Sequence, residues 1–365
     1  MGEKGVSMRQ FSDKQQFCQW LNEFQHPLLI NEWALQPSIV TVLASGIFEI
    51  TLPFAASDLE SLLNQWISTQ QQEQHVATFK YQVKTKVRAL QTHVAANVKN
   101  VKNIIAVSSA KGGVGKSTTS VNLALALASN GASVGLLDAD IYGPSVPMMI
   151  GKLDAKPAVK DDKWMQPIDA HGIYTHSIGY LVDKGDAAIW RGPMASKALA
   201  QLLNETQWPE LDYLVIDMPP GTGDIQITIS QQIPVTGALV VTTPQDLALA
   251  DAQKGVAMFD KVEVPVVGVV ENMSYHICSQ CGHKEAIFGS GGAVQMASEM
   301  QLNVLAQIPL HISLREDIDQ GKPTVIARPD SEHSLLYRQL ADRVACQLYW
   351  QGEEKPEAIN ISMVE

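Results

Sequence analysis

The sequence predicts an α/β protein: a doubly wound, mostly parallel sheet preceded by a small α/β N-terminal domain. Three observations in the 365 residues predict this fold class. Nearly continuous apolar runs alternate with helix-like segments from residue 103 onward, which is typical of parallel strands buried on both faces. A Gly-rich segment joins the first of these runs to the first helix. The residues before it follow a different pattern, so we divide the chain into domains 1–98 and 99–350 and a tail, 351–365.

The first domain contains short strand-like and helix-like segments but no cluster of metal-ligand residue types. Apolar residues on both sides of Gly46 predict two short strands joined by a turn. A short polar stretch then links this domain to the larger one. The predicted helices are 17–24 and 59–67, the predicted strands lie within 39–52 and 76–87, and the linker is 92–102.

The larger domain shows alternating strands and helices up to residue 350. Gly131 is expected to end its first helix. The tail after Gln351 is acidic and contains proline, which predicts disorder. The predicted strands are 104–108, 133–138, 213–217, 237–242 and 266–272, and the predicted helices are 117–130, 195–205, 247–259, 292–300 and 334–350.

The Gly-rich segment 111–118 has the spacing of a phosphate-binding loop and lies between a strand and a helix. Its backbone N–H groups are expected to cradle phosphate oxygens. Lys116 is expected to reach the β- and γ-phosphates, and the Ser117 hydroxyl to bind Mg²⁺. Ala110 stands where the general pattern has glycine, so its backbone is expected to be ordinary rather than left-handed. The residues assigned to the nucleotide are Gly112, Gly113, Val114, Gly115, Lys116, Ser117 and Thr118.

Aspartates follow two predicted strands, at the sheet edge where functional side chains gather. Mg²⁺ prefers oxygen ligands, and an attacking water must be held in line with the γ-phosphate. We assign Asp140 to this water, and Asp138 and Asp217 to the Mg²⁺ shell or to a switch. The glycines and prolines of 217–224 suit a loop that is ordered by the γ-phosphate, with a rigid turn as the alternative. Asp224 belongs to this loop or caps the helix that follows.

Two further polar residues are candidates for ligand contacts. Asn272 ends the strand 266–272, and its carboxamide can pair with the hydrogen-bonding edges of adenine. The spacing alone favours a turn residue there. Arg191 is either a phosphate or partner contact or a surface arginine.

Cys278 and Cys281 form a Cys-x-x-Cys pair between His276 and His283. Two thiolates at this spacing can hold one metal ion or cluster, but they fill only half of a four-ligand site. A twofold dimer would supply two more thiolates, whereas a monomeric zinc site would use both histidines. A redox dithiol would need no metal. The spacing favours cluster and zinc about equally over the dithiol.

The composition of the chain argues against several classes of binding partner. A net charge of −11 argues against nucleic acid and against a basic membrane-surface helix. No apolar stretch approaches the roughly 18 residues of a membrane span. Four cysteines are too few for a disulfide framework, and Cys18 and Cys346 read as small apolar residues on helix faces. We therefore expect a cytoplasmic protein with neither a membrane nor a nucleic-acid partner.

These motifs together resemble the Mrp/ApbC family, a group within the ParA/MinD-like ATPases that have a deviant P-loop. The second lysine of the loop, Lys111, is the signature of the larger group. The resemblance covers about residues 101–350, and the first domain is similar to a degenerate small domain that such proteins often carry. The matching segments occur in the same order and are 111–118, 138–145, 190–194, 217–224, 271–274 and the pair Cys278 and Cys281.

The resemblance implies a homodimeric, cytoplasmic iron–sulfur cluster carrier with slow ATPase activity, which delivers clusters to apo-proteins. A labile [4Fe–4S] cluster would bridge the subunits through Cys278 and Cys281 of each. ATP and Mg²⁺ would lie at the interface, with Lys111 reaching the partner's nucleotide and Asn272 holding adenine. The catalytic residues implied are Lys111, Lys116 and Asp140.

Different functions also fit parts of the sequence. A ParA/MinD-type positioning ATPase needs a basic membrane- or DNA-binding face, whereas residues 353–365 are acidic. An electron-transfer protein like the nitrogenase iron protein also bridges a cluster, but with cysteines far apart in sequence. A zinc-stabilised nucleotide switch would use the cysteine pair for a structural metal, and a docking scaffold would bind nucleotide without hydrolysing it.

Overall fold

The structure, a computed structural model, describes residues 8–73, 75–161, 163–181 and 192–356, with the backbone alone at 192, 193, 195 and 224. Its strands form a nine-stranded sheet, a three-stranded sheet and a two-stranded hairpin. The predicted fold class, with a mostly parallel central sheet, is confirmed. Arg191 and the tail from residue 357 lie outside the described residues.

The residues before β4 (Val101–Ser108) form a three-stranded sheet with two α-helices, and we call this part of the chain the N-terminal domain. Its elements are α1 (Lys14–Leu21), a 3-10 helix (Trp33–Leu35), β1 (Val40–Val42), β2 (Phe48–Leu52), α2 (Leu59–Gln72) and β3 (Tyr81–Thr85). β2 pairs antiparallel with β1 and parallel with β3. Asp13 begins α1 by accepting a hydrogen bond from the Gln16 N–H at 2.9 Å. Gly46, with φ of 76°, makes the predicted turn between β1 and β2.

The central sheet has the order β14–β12–β11–β4–β10–β5–β9–β8, and β13 pairs with the far end of β12. All neighbours are parallel except β8 with β9 and β12 with β13. The strands are β4 (Val101–Ser108), β5 (Val134–Asp138), β8 (Ile168–Ala170), β9 (Ile173–Ser177), β10 (Leu211–Asp217), β11 (Gly237–Thr242), β12 (Val266–Ile277), β13 (Lys284–Glu285) and β14 (Val304–Leu310), with β6 (Val159–Lys160) and β7 (Trp164–Met165) forming the separate hairpin.

Helices cover both faces of this sheet. They are α3 (Lys116–Ser129), α4 (Val146–Met149), a 3-10 helix (Ile178–Tyr180), α5 (Gly192–Glu205), α6 (Asp224–Gln232), α7 (Asp246–Lys261), α8 (Gly292–Glu299), α9 (Ile312–Asp319), α10 (Thr324–Ala327) and α11 (Glu332–Gln351). α3 and α11 share one apolar core with the N-terminal domain, and α5 to α8 form the core on the opposite face. Burial on both sides explains the continuous apolar runs of the strands. None of the helices in the described ranges combines the length and apolar content that a bilayer span requires.

Four strands of the central sheet were not predicted, and the shortest of them, β13, has two residues. β9 contains the polar residues Thr175, His176 and Ser177, all fully buried, so it lacks an apolar run. β14 contains Pro309, a residue that argues against a strand, and β8 is only three residues long. β12 continues five residues beyond the predicted end at Asn272. This extension carries the chain to the cysteine pair.

The N-terminal domain packs directly on α11. The Cys346 thiol and the indole N–H of Trp350 both donate to the Leu28 carbonyl, at 3.1 and 2.9 Å. The Ser57 N–H and hydroxyl both donate to the Asp342 carboxylate at 2.9 Å. These contacts bury part of the N-terminal region against α11, and the division into two domains with a boundary at residue 98 stays a prediction.

The prediction of disorder from residue 351 is wrong for the first part of the tail. The Gln91 N–H donates to the Glu353 carbonyl, and the Lys355 N–H to the Ala89 carbonyl, both at 2.8 Å. These bonds join the tail to the backbone just before the linker, and backbone pairing does not depend on the acidic composition of the tail.

Candidate nucleotide site and cysteine hairpin

The phosphate-binding loop lies between β4 and α3, as predicted. Gly113 and Gly115 have φ of 85° and 84°, a region that L-residues rarely adopt. Ala110 is absent from the positive-φ residues, so its expected ordinary backbone is confirmed. Gly115 also has no space for a side chain, because an added Cβ would lie 2.1 Å from the Asn272 Nδ2 atom.

Lys116 is paired with Asp217 at the base of the loop. The Lys116 Nζ atom lies 2.7 Å from Asp217 Oδ1 and 3.1 Å from the Ser117 hydroxyl. The Ser120 hydroxyl donates to the same Asp217 oxygen at 2.7 Å. Asp217 is fully buried, and its Oδ2 atom has no hydrogen-bond partner among the described residues. A buried acceptor beside the Ser117 hydroxyl fits the oxygen-rich shell of Mg²⁺.

Asp138 lies beside Asp217, because the two residues are paired in register across β5 and β10. The Asp138 carboxylate accepts hydrogen bonds from the Ser177 hydroxyl at 2.9 Å, the Asp140 N–H at 3.1 Å and the Val146 N–H at 3.2 Å. Burial, and then the negative charge of Asp217, raises its pKa to about 7. A cation brought to this site with a nucleotide would favour the ionised form.

Asp140 faces an open cavity beside the 217–224 loop. The cavity has a volume of about 430 Å³, and its lining includes Asp140, Tyr142, Pro219 and Gln226. Burial raises the pKa of Asp140, while the nearby Lys116 charge lowers it. A carboxylate on the wall of an open cavity beside the 217–224 loop has the access that a water-positioning residue requires. Asp224 begins α6, and its side chain lies outside the described residues.

Asn272 contacts the phosphate-binding loop itself. Its Nδ2 atom donates to the Val114 carbonyl at 2.8 Å, and the residue is buried. The turn interpretation is wrong, since Asn272 lies inside β12. Its proposed role in holding adenine stays a prediction. Lys111 is exposed on the loop, where it is accessible to a partner molecule.

The cysteine pair lies on a hairpin between β12 and β13. The Cys278 N–H donates to the His283 carbonyl at 2.9 Å, and the Gly282 N–H donates to the Cys278 carbonyl at 2.8 Å. The backbone N–H groups of Gln280 and Cys281, followed by the Cys281 thiol, lower the pKa of Cys278. This arrangement stabilises a thiolate, the form that binds metal. Within the described ranges, no group of three or more His, Cys, Asp or Glu residues is placed to hold a metal ion.

The site contains residues that sequence reasoning missed. Ser120 and Ser177 each hydrogen-bond one of the buried carboxylates. Ser120 lies one helical turn after Lys116, a spacing that places both side chains on the same face of α3 and would have identified it. Ser177 follows no motif, because it reaches Asp138 from β9.

Comparison with known proteins agrees with this geometry. A sequence model within the ParA group, described as the NUBPL iron-transfer P-loop NTPase, matches residues 100–345. The chain belongs to this family. A similar solved structure is a nucleotide-binding protein from Archaeoglobus fulgidus in complex with ADP, which is 35% identical and has a TM-score of 0.58, covering 66% of this chain and 93% of that chain.

Relatives of this family member carry names that refer to iron–sulfur clusters. An iron-sulfur cluster carrier protein of Haemophilus influenzae is 54% identical over 352 residues, 94% of each chain, so the similarity includes the N-terminal domain. A protein of the same name from Escherichia coli K12 is 66% identical over 267 residues, 73% of this chain and 72% of the relative. The iron-sulfur cluster transfer protein NUBPL of Mus musculus is 49% identical over 253 residues, 69% of this chain and 79% of the relative.

Proposed function

We propose that this protein is an ATPase that carries iron–sulfur clusters and delivers them to apo-proteins. The observation that carries the proposal is the cysteine hairpin. Cys278 and Cys281 lie on one tight turn whose N–H groups favour a thiolate, and relatives at 54% and 66% identity are named iron-sulfur cluster carriers. A cargo held by few protein ligands on an exposed turn is accessible to a recipient.

The cluster is held between two copies of the chain. Two thiolates fill half of a four-ligand site, and the described residues offer no third ligand beside them. A twofold axis at the hairpin supplies Cys278 and Cys281 twice, which suits a [4Fe–4S] cluster. A site shared across an interface opens when the interface opens, so release does not require the protein to unfold.

ATP binds at the phosphate loop of each subunit. Lys116 would exchange Asp217 for the β- and γ-phosphates, and the Ser117 hydroxyl and the second Asp217 oxygen would hold Mg²⁺. When bound, the cation neutralises charge on the phosphates. Asp140 orients the attacking water, and Lys111 reaches the nucleotide of the other subunit.

The test of the carrier function is anaerobic reconstitution with iron and sulfide. Wild type is compared with Cys278→Ala/Cys281→Ala and with Cys346→Ser as the matched control, since Cys346 is a buried thiol that donates to Leu28. Iron, sulfide and zinc content, the thiolate-to-iron absorbance band and the oligomer mass are measured. We expect about one four-iron cluster per dimer in wild type and control and none in the double variant.

Two results would contradict this reading of the hairpin. Stoichiometric zinc with no stable cluster would replace the carrier by a zinc-stabilised nucleotide switch. A cluster that survives in the double variant would place the cargo elsewhere on the chain. Thiols that must stay reduced fit a cytoplasmic setting, which is part of the same proposal.

The shared nucleotide site is tested by mixing subunits. Lys111→Ala and Asp140→Ala subunits are each expected to be inactive as homodimers. If Lys111 acts on the partner's nucleotide, mixed dimers contain one intact site and recover part of the ATP turnover. Absence of recovery in dimers verified by mass would assign Lys111 to its own subunit.

A further inference from the structure

A single strand joins the phosphate loop to the cysteine hairpin. At one point of β12, Asn272 hydrogen-bonds the loop at Val114, and the strand ends at Ile277, directly before Cys278. Cys278 follows Asn272 by six positions, a path of at most roughly 20 Å for an extended chain. The nucleotide and the cargo of the proposed function therefore contact the two ends of one structural element.

The strand is irregular between these two ends. In its pairing with β14, Asn272 lies opposite Ile308 and His276 lies opposite Leu310, so three residues of β12 face one residue of β14. We call residues 273–275 the β12 bulge. Met273 has φ of 56°, and among the described non-glycine residues with positive φ it is the one that lies inside a strand. Such conformations persist only where the surrounding structure holds them, and they are common in switch regions.

Side chains of β12 and β14 form hydrogen bonds beside the bulge. The Ser274 hydroxyl donates to the Glu271 carboxylate across Met273, and Gln307 Nε2 of β14 donates to the same carboxylate oxygen at 2.7 Å. Glu271 is fully buried. Because buried, hydrogen-bonded groups have few alternative arrangements, the bulge is expected to have a small number of discrete conformations.

The loop contacts this segment at Asn272, which lies directly before the bulge. The Asn272 amide occupies the space beside the Gly115 Cα atom, and the Met273 Cε atom lies 3.9 Å from the position of an added Gly115 Cβ. A displacement of the loop at Val114 or Gly115 would therefore act on Asn272, and through the backbone on the bulge that follows it. At the other end, His276 pairs with Glu285 of β13, so the hairpin strand is aligned by the residues that follow the bulge.

We propose that the β12 bulge, with Met273 as its positioning residue, transmits the state of the phosphate loop to the cysteine hairpin. Nucleotide binding then changes the affinity of Cys278 and Cys281 for the cluster. By thermodynamic linkage the cluster must change nucleotide affinity by the same factor. The inference rests on the proposed function, because it needs both ligands to bind.

The experiment measures this linkage. The Kd of the Mg²⁺ complex of a non-hydrolysable ATP analogue is determined for the dimer with and without a reconstituted cluster. The ratio of the two values is the coupling factor. Wild type is compared with Met273→Gly, which frees the backbone, and with Met273→Ala, which removes the side chain but keeps an L-residue. Gln301→Gly is the matched control, because Gln301 also has positive φ, at 57°, but is exposed after α8.

We expect a coupling factor of at least about 5 in wild type, Met273→Ala and Gln301→Gly, and a factor near 1 in Met273→Gly. Ser274→Ala removes the hydrogen bond from the Ser274 hydroxyl to Glu271, and we expect it to lower the coupling factor as well. This variant replaces Met273→Gly in the test if Met273→Gly does not fold. Equal factors in all variants would overturn the proposal, as would equal losses in both Met273 variants, since the side chain would then be the link.

Failure of this inference and of the proposed function are distinguishable. If wild type binds both the nucleotide and the cluster but has a coupling factor of 1, the proposed coupling is wrong and the proposed carrier function stands. If wild type takes up no cluster, both the proposed coupling and the proposed carrier function are wrong.

Discussion

Gly115→Ala is expected to disrupt the phosphate loop through one identified contact. The added Cβ would lie 2.1 Å from Asn272 Nδ2, and the residue would keep a left-handed φ of 84°. The loop can accommodate the methyl group only if the Asn272 amide rotates away. That rotation breaks the 2.8 Å hydrogen bond to the Val114 carbonyl in a buried position.

The magnitude follows from these two effects. An L-residue in the left-handed region costs about 1–2 kcal/mol. A buried polar group that loses its hydrogen bond costs about 1–3 kcal/mol. Gly113→Ala measures the backbone cost without the loss of the hydrogen bond. Gly113 has nearly the same φ, 85°, and nothing lies within 4 Å of its added Cβ. The free energy of unfolding should therefore fall by about 1–2 kcal/mol in Gly113→Ala, and in Gly115→Ala by about 1–3 kcal/mol more.

Urea denaturation of the nucleotide-free protein measures the difference, and binding of a fluorescent ATP analogue shows whether the loop still accepts phosphates. In an Asn272→Ala background the amide is absent, so Gly115→Ala should cost no more than Gly113→Ala. Equal destabilisation of the two glycine variants in the wild-type background would refute the close contact. So would an unchanged excess in the Asn272→Ala background.

Three further predictions concern the buried charges. Lys116→Met leaves Asp217 buried without its cation, so it should destabilise the nucleotide-free protein by about 3–5 kcal/mol, and adding Asp217→Asn should recover most of that loss, as read from urea midpoints. Asp138 has a folded-state pKa of about 7 against an ordinary value of 3.8, so its contribution to stability is full below pH 3.8 and is lost as the pH rises through 7. Asp138→Asn should therefore flatten the decline in stability between pH 5 and pH 8 by roughly 2–3 kcal/mol, and an unchanged slope would assign the titration elsewhere. Asp342→Ala leaves the Ser57 N–H and hydroxyl unpaired, so it should loosen the N-terminal domain by about 1–3 kcal/mol and speed proteolysis of the linker at unchanged nucleotide affinity.

The central sheet could be predicted because its strands are apolar on both faces. Parallel strands end at the same sheet edge, so the position of Asp138 and Asp217 at that edge followed from the sequence. Their pairing in register did not, because it depends on β5 lying next to β10. β9 and β14 were not predicted because β9 contains buried polar residues and β14 contains Pro309, so neither shows the apolar run of a buried strand. Contacts distant in sequence hold part of β9 in place. One of those contacts joins Ser177 to Asp138, 39 positions apart. A local pattern contains no information on such pairs.

The contact between Asn272 and the phosphate loop shows the same limit. Asn272 and Val114 are 158 positions apart, and no periodicity connects them. The sequence identified both residues as functional, yet it could not show that one holds the other. The ordered start of the tail was not predicted for a related reason. The Glu353 carbonyl accepts a hydrogen bond from the backbone N–H of Gln91, and a backbone contact leaves no side-chain pattern in the sequence.

Two polar side chains of the nucleotide site are already paired with other groups of the protein. Lys116 is paired with Asp217, and Asn272 is bonded to the loop carbonyl of Val114. Nucleotide binding is therefore an exchange of partners, and its affinity is the difference between new and old contacts rather than their sum. Because Asn272 lies on the strand that ends at Ile277, directly before Cys278, an exchange that breaks the Asn272–Val114 bond would act on that strand. A nucleotide that bound without disturbing Asn272 would leave the cysteine hairpin unaffected. Nucleotide binding can therefore change the cluster affinity of the hairpin by this route only if the Asn272–Val114 bond breaks or shifts in the ATP complex.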